Sequence, residues 1–119
     1  MADNDTITIY HNPRCSNSRG ALALLEAQGI QPQVIDYLHA QLSTAHLTAL
    51  ITQLGVPVRE VMRSKEAIYQ DLDLGRDSLS DDELIAEIAA HPELLNRPIV
   101  VSPKGARLCR PPERVLDLL

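Results

Sequence analysis

Threonine and isoleucine alternate through Thr6-Ile7-Thr8-Ile9-Tyr10, and this period of two in β-branched residues predicts a strand. His11-Asn12-Pro13-Arg14 reads as a loop. A helix is predicted from about Ser16 to Gln28, ended at Gly29, a residue suited to a left-handed C-terminal turn. Val34-Ile35-Asp36-Tyr37 is the second strand. Strand, helix, strand with short joins makes a parallel unit whose crossover is right-handed.

The middle of the chain is helical. Ser43 is an N-cap candidate, and Leu47, Leu50, Ile51 and Leu54 follow at the spacing of one helix face. Gly55 and Pro57 end that helix, and short helices are expected around Val58–Arg63 and Glu66–Asp71. Ser80-Asp81-Asp82-Glu83 has the form of a capping box, with Leu79 and Leu84 placed as a hydrophobic staple. The helix it opens stops near His91-Pro92. Pro98-Ile99-Val100-Val101 predicts a third strand, Ser102-Pro103-Lys104-Gly105 a turn, and Ala106 to Cys109 a fourth strand. Pro111-Pro112-Glu113 then favours a last helix running to Leu119. The class is α/β. With the block over about 43–95 set aside as a helical insertion, the order is that of a thioredoxin/glutaredoxin-like four-stranded mixed sheet, in a single domain over 1–119.

Composition narrows the function. Three Tyr, no Phe and no Trp mean an aliphatic core and no aromatic platform for stacking bases. The net charge of −5 argues against affinity for phosphate backbones, so no nucleic-acid partner is expected. No apolar run approaches the roughly 20 residues of a membrane span. The acidic start Met1-Ala2-Asp3-Asn4-Asp5 does not resemble a secretory leader. Two cysteines, Cys15 and Cys109, do not build a disulfide framework, and a reducing, cytoplasmic location with both thiols reduced is expected.

Cys15 is the chemically informative residue. It follows a strand and a short polar loop and stands at a predicted helix start. Unpaired amides and the helix dipole favour negative charge there, which lowers a thiol pKa and forms an anion site. Arg14 and Arg19 add positive charge, as does His11 when protonated. The run Cys15-Ser16-Asn17-Ser18 ends in serine where a dithiol motif has its second cysteine. A covalent adduct on Cys15 then needs an external thiol, and the abundant cytosolic one is glutathione. Cys109 reads as packing rather than as a resolving thiol. His39, His46 and His91 lack metal-ligand spacing, and there is no zinc pattern, P-loop or dinucleotide fingerprint; no metal or bound cofactor is expected.

Ile9-Tyr10-His11-Asn12-Pro13-Arg14-Cys15-Ser16-Asn17-Ser18-Arg19 closely resembles the active-site segment of the glutaredoxin-dependent arsenate reductases. Val61-Met62-Arg63, Leu95 to Val101 and Gly105 to Pro111 extend the resemblance, which covers roughly residues 6–119. It implies a thioredoxin-like fold with a helical insertion. It implies Cys15 as the nucleophile toward arsenate, and Arg63, Arg97 and Arg107 as the arginines that hold the oxyanion. Arg110 is a possible substitute for Arg107. By the same resemblance His11 helps keep the thiol ionised, Pro98 is the cis proline facing the site, and Asn12, Ser16 and Ser18 surround the anion. Glutathione is the implied co-substrate and glutaredoxin the implied protein partner. Arginine forks suit a tetrahedral oxyanion because each binds two oxygens while neutralising charge.

Two other readings stay open. Another monothiol, glutathione-dependent oxidoreductase would need Cys15 but not all three arginines. An Spx-type regulator that binds RNA polymerase would share the fold, but those redox switches use two cysteines in a motif this chain lacks. Arg14 stands where well-known arsenate reductases carry small residues, so it bears on substrate choice.

Overall fold

The computed structural model describes residues 7–96, 98–109 and 112–119. The chain groups into two compact units, one made of 1–40 with 97–119 and the other of 41–96.

The first unit is built on a four-stranded sheet of β1 (Thr8–His11), β2 (Gln33–Asp36), β3 (Ile99–Ser102) and β4 (Gly105–Leu108) in the order β2-β1-β3-β4. β1 runs parallel to β2 and antiparallel to β3, and β3 is antiparallel to β4. The mixed sheet is the one the element order predicts. Register puts Ile9 opposite both Val34 and Val100, and Val100 opposite Arg107, so these side chains share one face. α1 (Ser16–Ala27) and the C-terminal 3-10 helix Pro112–Leu118 pack against each other, and their Ala21, Leu25, Val115 and Leu118 form one buried cluster with Ile7, Ile9, Val100 and Cys109.

Small residues set the fit. A Cβ on Gly20 would lie 3.0 Å from Pro112 Cγ, so glycine is what lets α1 come this close to the last helix. α1 ends in a Schellman turn. Gly29, at φ 79°, donates to the Glu26 carbonyl at 2.9 Å, and Ile30 donates to the Leu25 carbonyl at 3.0 Å. The last helix is of 3-10 type rather than the expected α-helix. It is seven residues long, starts at Pro112, and buries Val115 and Leu118.

The second unit holds α2 (Thr44–Leu54), the 3-10 helix Val58–Val61, α3 (Ala67–Asp71), α4 (Asp81–Ala90) and the 3-10 turn Pro92–Leu94. Ser43 caps α2 by accepting the His46 amide at 3.0 Å, and Leu47, Leu50 and Ile51 are buried on the predicted face. The capping box at α4 is complete: Ser80 Oγ accepts from the Glu83 amide and Glu83 Oε1 from the Ser80 amide. Among the described residues no helix is long and apolar enough to cross a membrane.

Candidate active site

The turn from β1 into α1 is where sequence and geometry meet. Cys15 is partly buried and holds the N-cap of α1 with extended backbone, φ −95° and ψ 124°. The amides of the first helical turn lack carbonyl partners within the helix, and the positive end of its dipole falls on this position. Both favour a thiolate or a bound oxyanion.

Short hydrogen bonds hold the loop. Cys15 N–H donates to the Asn12 carbonyl at 2.9 Å, and Arg19 N–H to the Cys15 carbonyl at 3.0 Å. Arg14 N–H donates to Asn12 Oδ1 at 2.9 Å. Asn12 N–H donates to Ser18 Oγ at 3.3 Å, a buried link spanning six residues. Asn12 and Ser18, predicted to line the substrate, are both buried, and these atoms shape the loop. Arg19 reaches back to the Pro13 carbonyl at 2.8 Å, while Arg14 is exposed.

His11 closes β1, buried and opposite Asp36 in the parallel register. Its Nδ1 is buried and has no hydrogen-bond partner among the described residues. Burial lowers its pKa below the ordinary histidine value; Asp36 pulls the other way and Arg19 adds to the lowering. At neutral pH the ring is therefore largely neutral. Burial thus works against the positive charge that His11 would carry when protonated.

Arg107 lies on β4 with an exposed side chain, its Nη1 3.6 Å from Asp117 Oδ2 on the C-terminal 3-10 helix. Arg63 belongs to the second unit. There an isolated antiparallel bridge joins Met62 to Leu95, with Arg63 N–H donating to the Leu94 carbonyl and Asn96 N–H to the Val61 carbonyl, each at 2.7 Å. The bridge fixes the Arg63 backbone beside Leu94, Leu95 and Asn96. Arg63 Nε also lies 3.3 Å from Glu66 Oε2, both side chains partly buried. Arg97 and Arg110 lie outside the described residues.

Cys109 is fully buried in the core cluster, and burial pushes its thiol up to about 12. A thiol so rarely ionised is a poor nucleophile. The acidic partners Asp36, Glu66 and Asp117 were not singled out from sequence. Glu66 was accessible, three residues after Arg63 on a helix-prone stretch. Asp36 faces His11 through strand register and Asp117 meets Arg107 from the C-terminal helix, relations that sequence spacing does not signal.

The ArsC family model matches residues 10–118. The chain is 49% identical to an arsenate reductase of Rhizobium meliloti over 96% of its own length and 81% of that protein. It is 46% identical to the uncharacterised protein YfgD of Escherichia coli, over 95% of this chain and 96% of that one. A solved arsenate reductase from Vibrio cholerae superposes with a TM-score of 0.94 at 53% identity, covering 98% of this chain and all of that one.

Proposed function

This chain belongs to the ArsC family, and on that premise we propose that it is an enzyme that reduces arsenate to arsenite with Cys15 as the nucleophile. The observation that carries the reading is Cys15 at the N-cap of a twelve-residue helix, where one set of amides favours both thiolate and oxyanion.

The Cys15 thiolate attacks arsenic and displaces water or hydroxide, forming a sulfur–arsenic bond. A glutathione thiolate then attacks the Cys15 sulfur. A disulfide forms as the sulfur–arsenic bond breaks, and its electron pair reduces arsenic from the +5 to the +3 state. Arsenite leaves, and glutaredoxin reduces the mixed disulfide. The serine at position 18 and the burial of Cys109 support an external thiol in this step.

Arg63 and Arg97 are the guanidinium groups we assign to the oxyanion. Arg107 is the third by resemblance, but its engagement with Asp117 at an exposed position favours Arg110, the other arginine of that segment. His11, neutral at rest, suits proton transfer with the Cys15 thiol better than fixed charge stabilisation.

The test is arsenate-dependent NADPH oxidation in a coupled assay with glutathione, glutaredoxin and glutathione reductase. Turnover that requires arsenate and is lost in Cys15→Ser is the expected result. No turnover, with Cys15 nonetheless glutathionylated, transfers the reading to another substrate of the same monothiol chemistry.

A further inference from the structure

We propose that Asp36 is a positioning residue for the thiol: from the neighbouring strand, its carboxylate stabilises the imidazolium that His11 becomes on taking the Cys15 proton. This rests on the reading of Cys15 as nucleophile but not on arsenate as its substrate.

The geometry comes from the sheet. β1 and β2 are parallel, and the register that pairs Ile9 with Val34 pairs His11 with Asp36. Directly opposed residues on adjacent strands present their side chains on the same face of the sheet, and neighbouring strands lie about 4.8 Å apart. Asp36 is held in place at the strand end. Its Oδ1 accepts the Leu38 amide at 3.2 Å, and its Oδ2 lies 2.9 Å from Nδ1 of the exposed His39. The carboxylate therefore acts on His11 through space, while the buried Nδ1 of His11 has no hydrogen-bond partner among the described residues.

Charges on the other sides do not substitute for it. His11 points to the face that α1 covers, and α1 brings Arg19, which opposes an imidazolium. Cys15 stands at the N-cap of that helix. β3 supplies Ile99 and, beyond the end of the pairing, Pro98, neither of them charged. Among these neighbours, Asp36 is the one carboxylate. When the proton moves from Cys15 Sγ to the His11 ring, it leaves thiolate and imidazolium, and Asp36 favours that pair over thiol and neutral imidazole. The two sites titrate as a coupled unit. The arrangement has the order of nucleophile, base and acid found in hydrolytic triads, without the base–acid hydrogen bond.

The experiment is the pH profile of Cys15 alkylation by iodoacetamide, read by peptide mass spectrometry without arsenate or glutathione. Asp36→Asn keeps an acceptor for the Leu38 amide, and Asp36→Ser, whose hydroxyl can also take it, covers the case in which the first variant does not fold. Either variant is expected to slow alkylation about threefold at pH 7 and move the profile to higher pH, with Asp36→Glu recovering part of the loss. In a His11→Gln background the Asp36 substitution is expected to change nothing further. An unchanged profile in Asp36→Asn and Asp36→Ser overturns the proposal, as does an equal shift with and without His11. Loss of arsenate turnover with this profile intact would instead count against the substrate.

Discussion

Ser18, in the first turn of α1, accepts the backbone N–H of Asn12 at 3.3 Å and so closes the loop that presents Cys15. Both residues are buried, Ser18 fully. Ser18→Ala removes the acceptor and leaves a buried amide unpaired, at a cost of about 1–3 kcal/mol. A drop in melting temperature of roughly 4 °C per kcal/mol is expected. Activity is expected to fall about tenfold, because a displaced nucleophile loses its alignment with the anion. Melting curves and the coupled assay, run on one preparation, check both. Full activity in a destabilised variant would separate the loop's stability from its chemistry.

Cys109 is expected to be dispensable for turnover. Its thiol, pushed up to about 12 by burial, is not available as a second redox centre. Cys109→Ala leaves a small cavity beside Ile9, Val100 and Val115 and costs stability, about 1 kcal/mol, while kcat stays within twofold. Titration of the native protein with a thiol reagent checks the same point: one equivalent reacts rapidly in the wild type and none in Cys15→Ser.

Much of this frame was legible in the chain. The β-branched run ending at Tyr10 marked β1, though both of its faces are buried, Gly29 marked the end of α1, and Ser80 with Glu83 announced α4. All are local effects, in which a residue and its near neighbours satisfy each other. The 3-10 type of the last helix is not legible, since the local signals that start and end a short helix are the same for both types. At the site, Cys15 could be read from its place between strand and helix. The acids that neighbour His11 and Arg107 could not, because sheet register sets Asp36 opposite His11 and the docking of the last helix brings Asp117 to Arg107.

The pairing of Arg107 with Asp117 separates the arginines into two classes. It is an exposed ion pair, worth about 0–1 kcal/mol, so Arg107→Ala is expected to leave stability nearly unchanged. If the guanidinium serves that pair, the KM for arsenate rises less than about threefold in Arg107→Ala. Loss of a charged hydrogen bond to the oxyanion, expected in Arg97→Ala and Arg110→Ala, costs about 1.5–3 kcal/mol, or tenfold and more in kcat/KM. Steady-state kinetics on the three variants decide the assignment. A large KM effect at Arg107 with none at Arg110 would return the third anion contact to Arg107.

Burial of His11 also makes stability depend on pH in a definite direction. The unfolded chain takes a proton on this histidine below about pH 6.5. The folded chain, where burial lowers the value, resists protonation until a lower pH. Between those limits the unfolded state binds more protons, so stability falls as pH drops through the window. Asp36 narrows the window and Arg19 widens it. Glu83 has a lowered value in the folded chain, so the stability it supplies is present above its ordinary pKa of 4.5 and is lost only as pH falls further. A melting series between pH 7 and 5 therefore isolates His11 from that carboxylate. The wild type is expected to lose more of its melting temperature over this range than His11→Gln, whose side chain does not titrate. Parallel losses in the two proteins would mean that His11 is as readily protonated folded as unfolded.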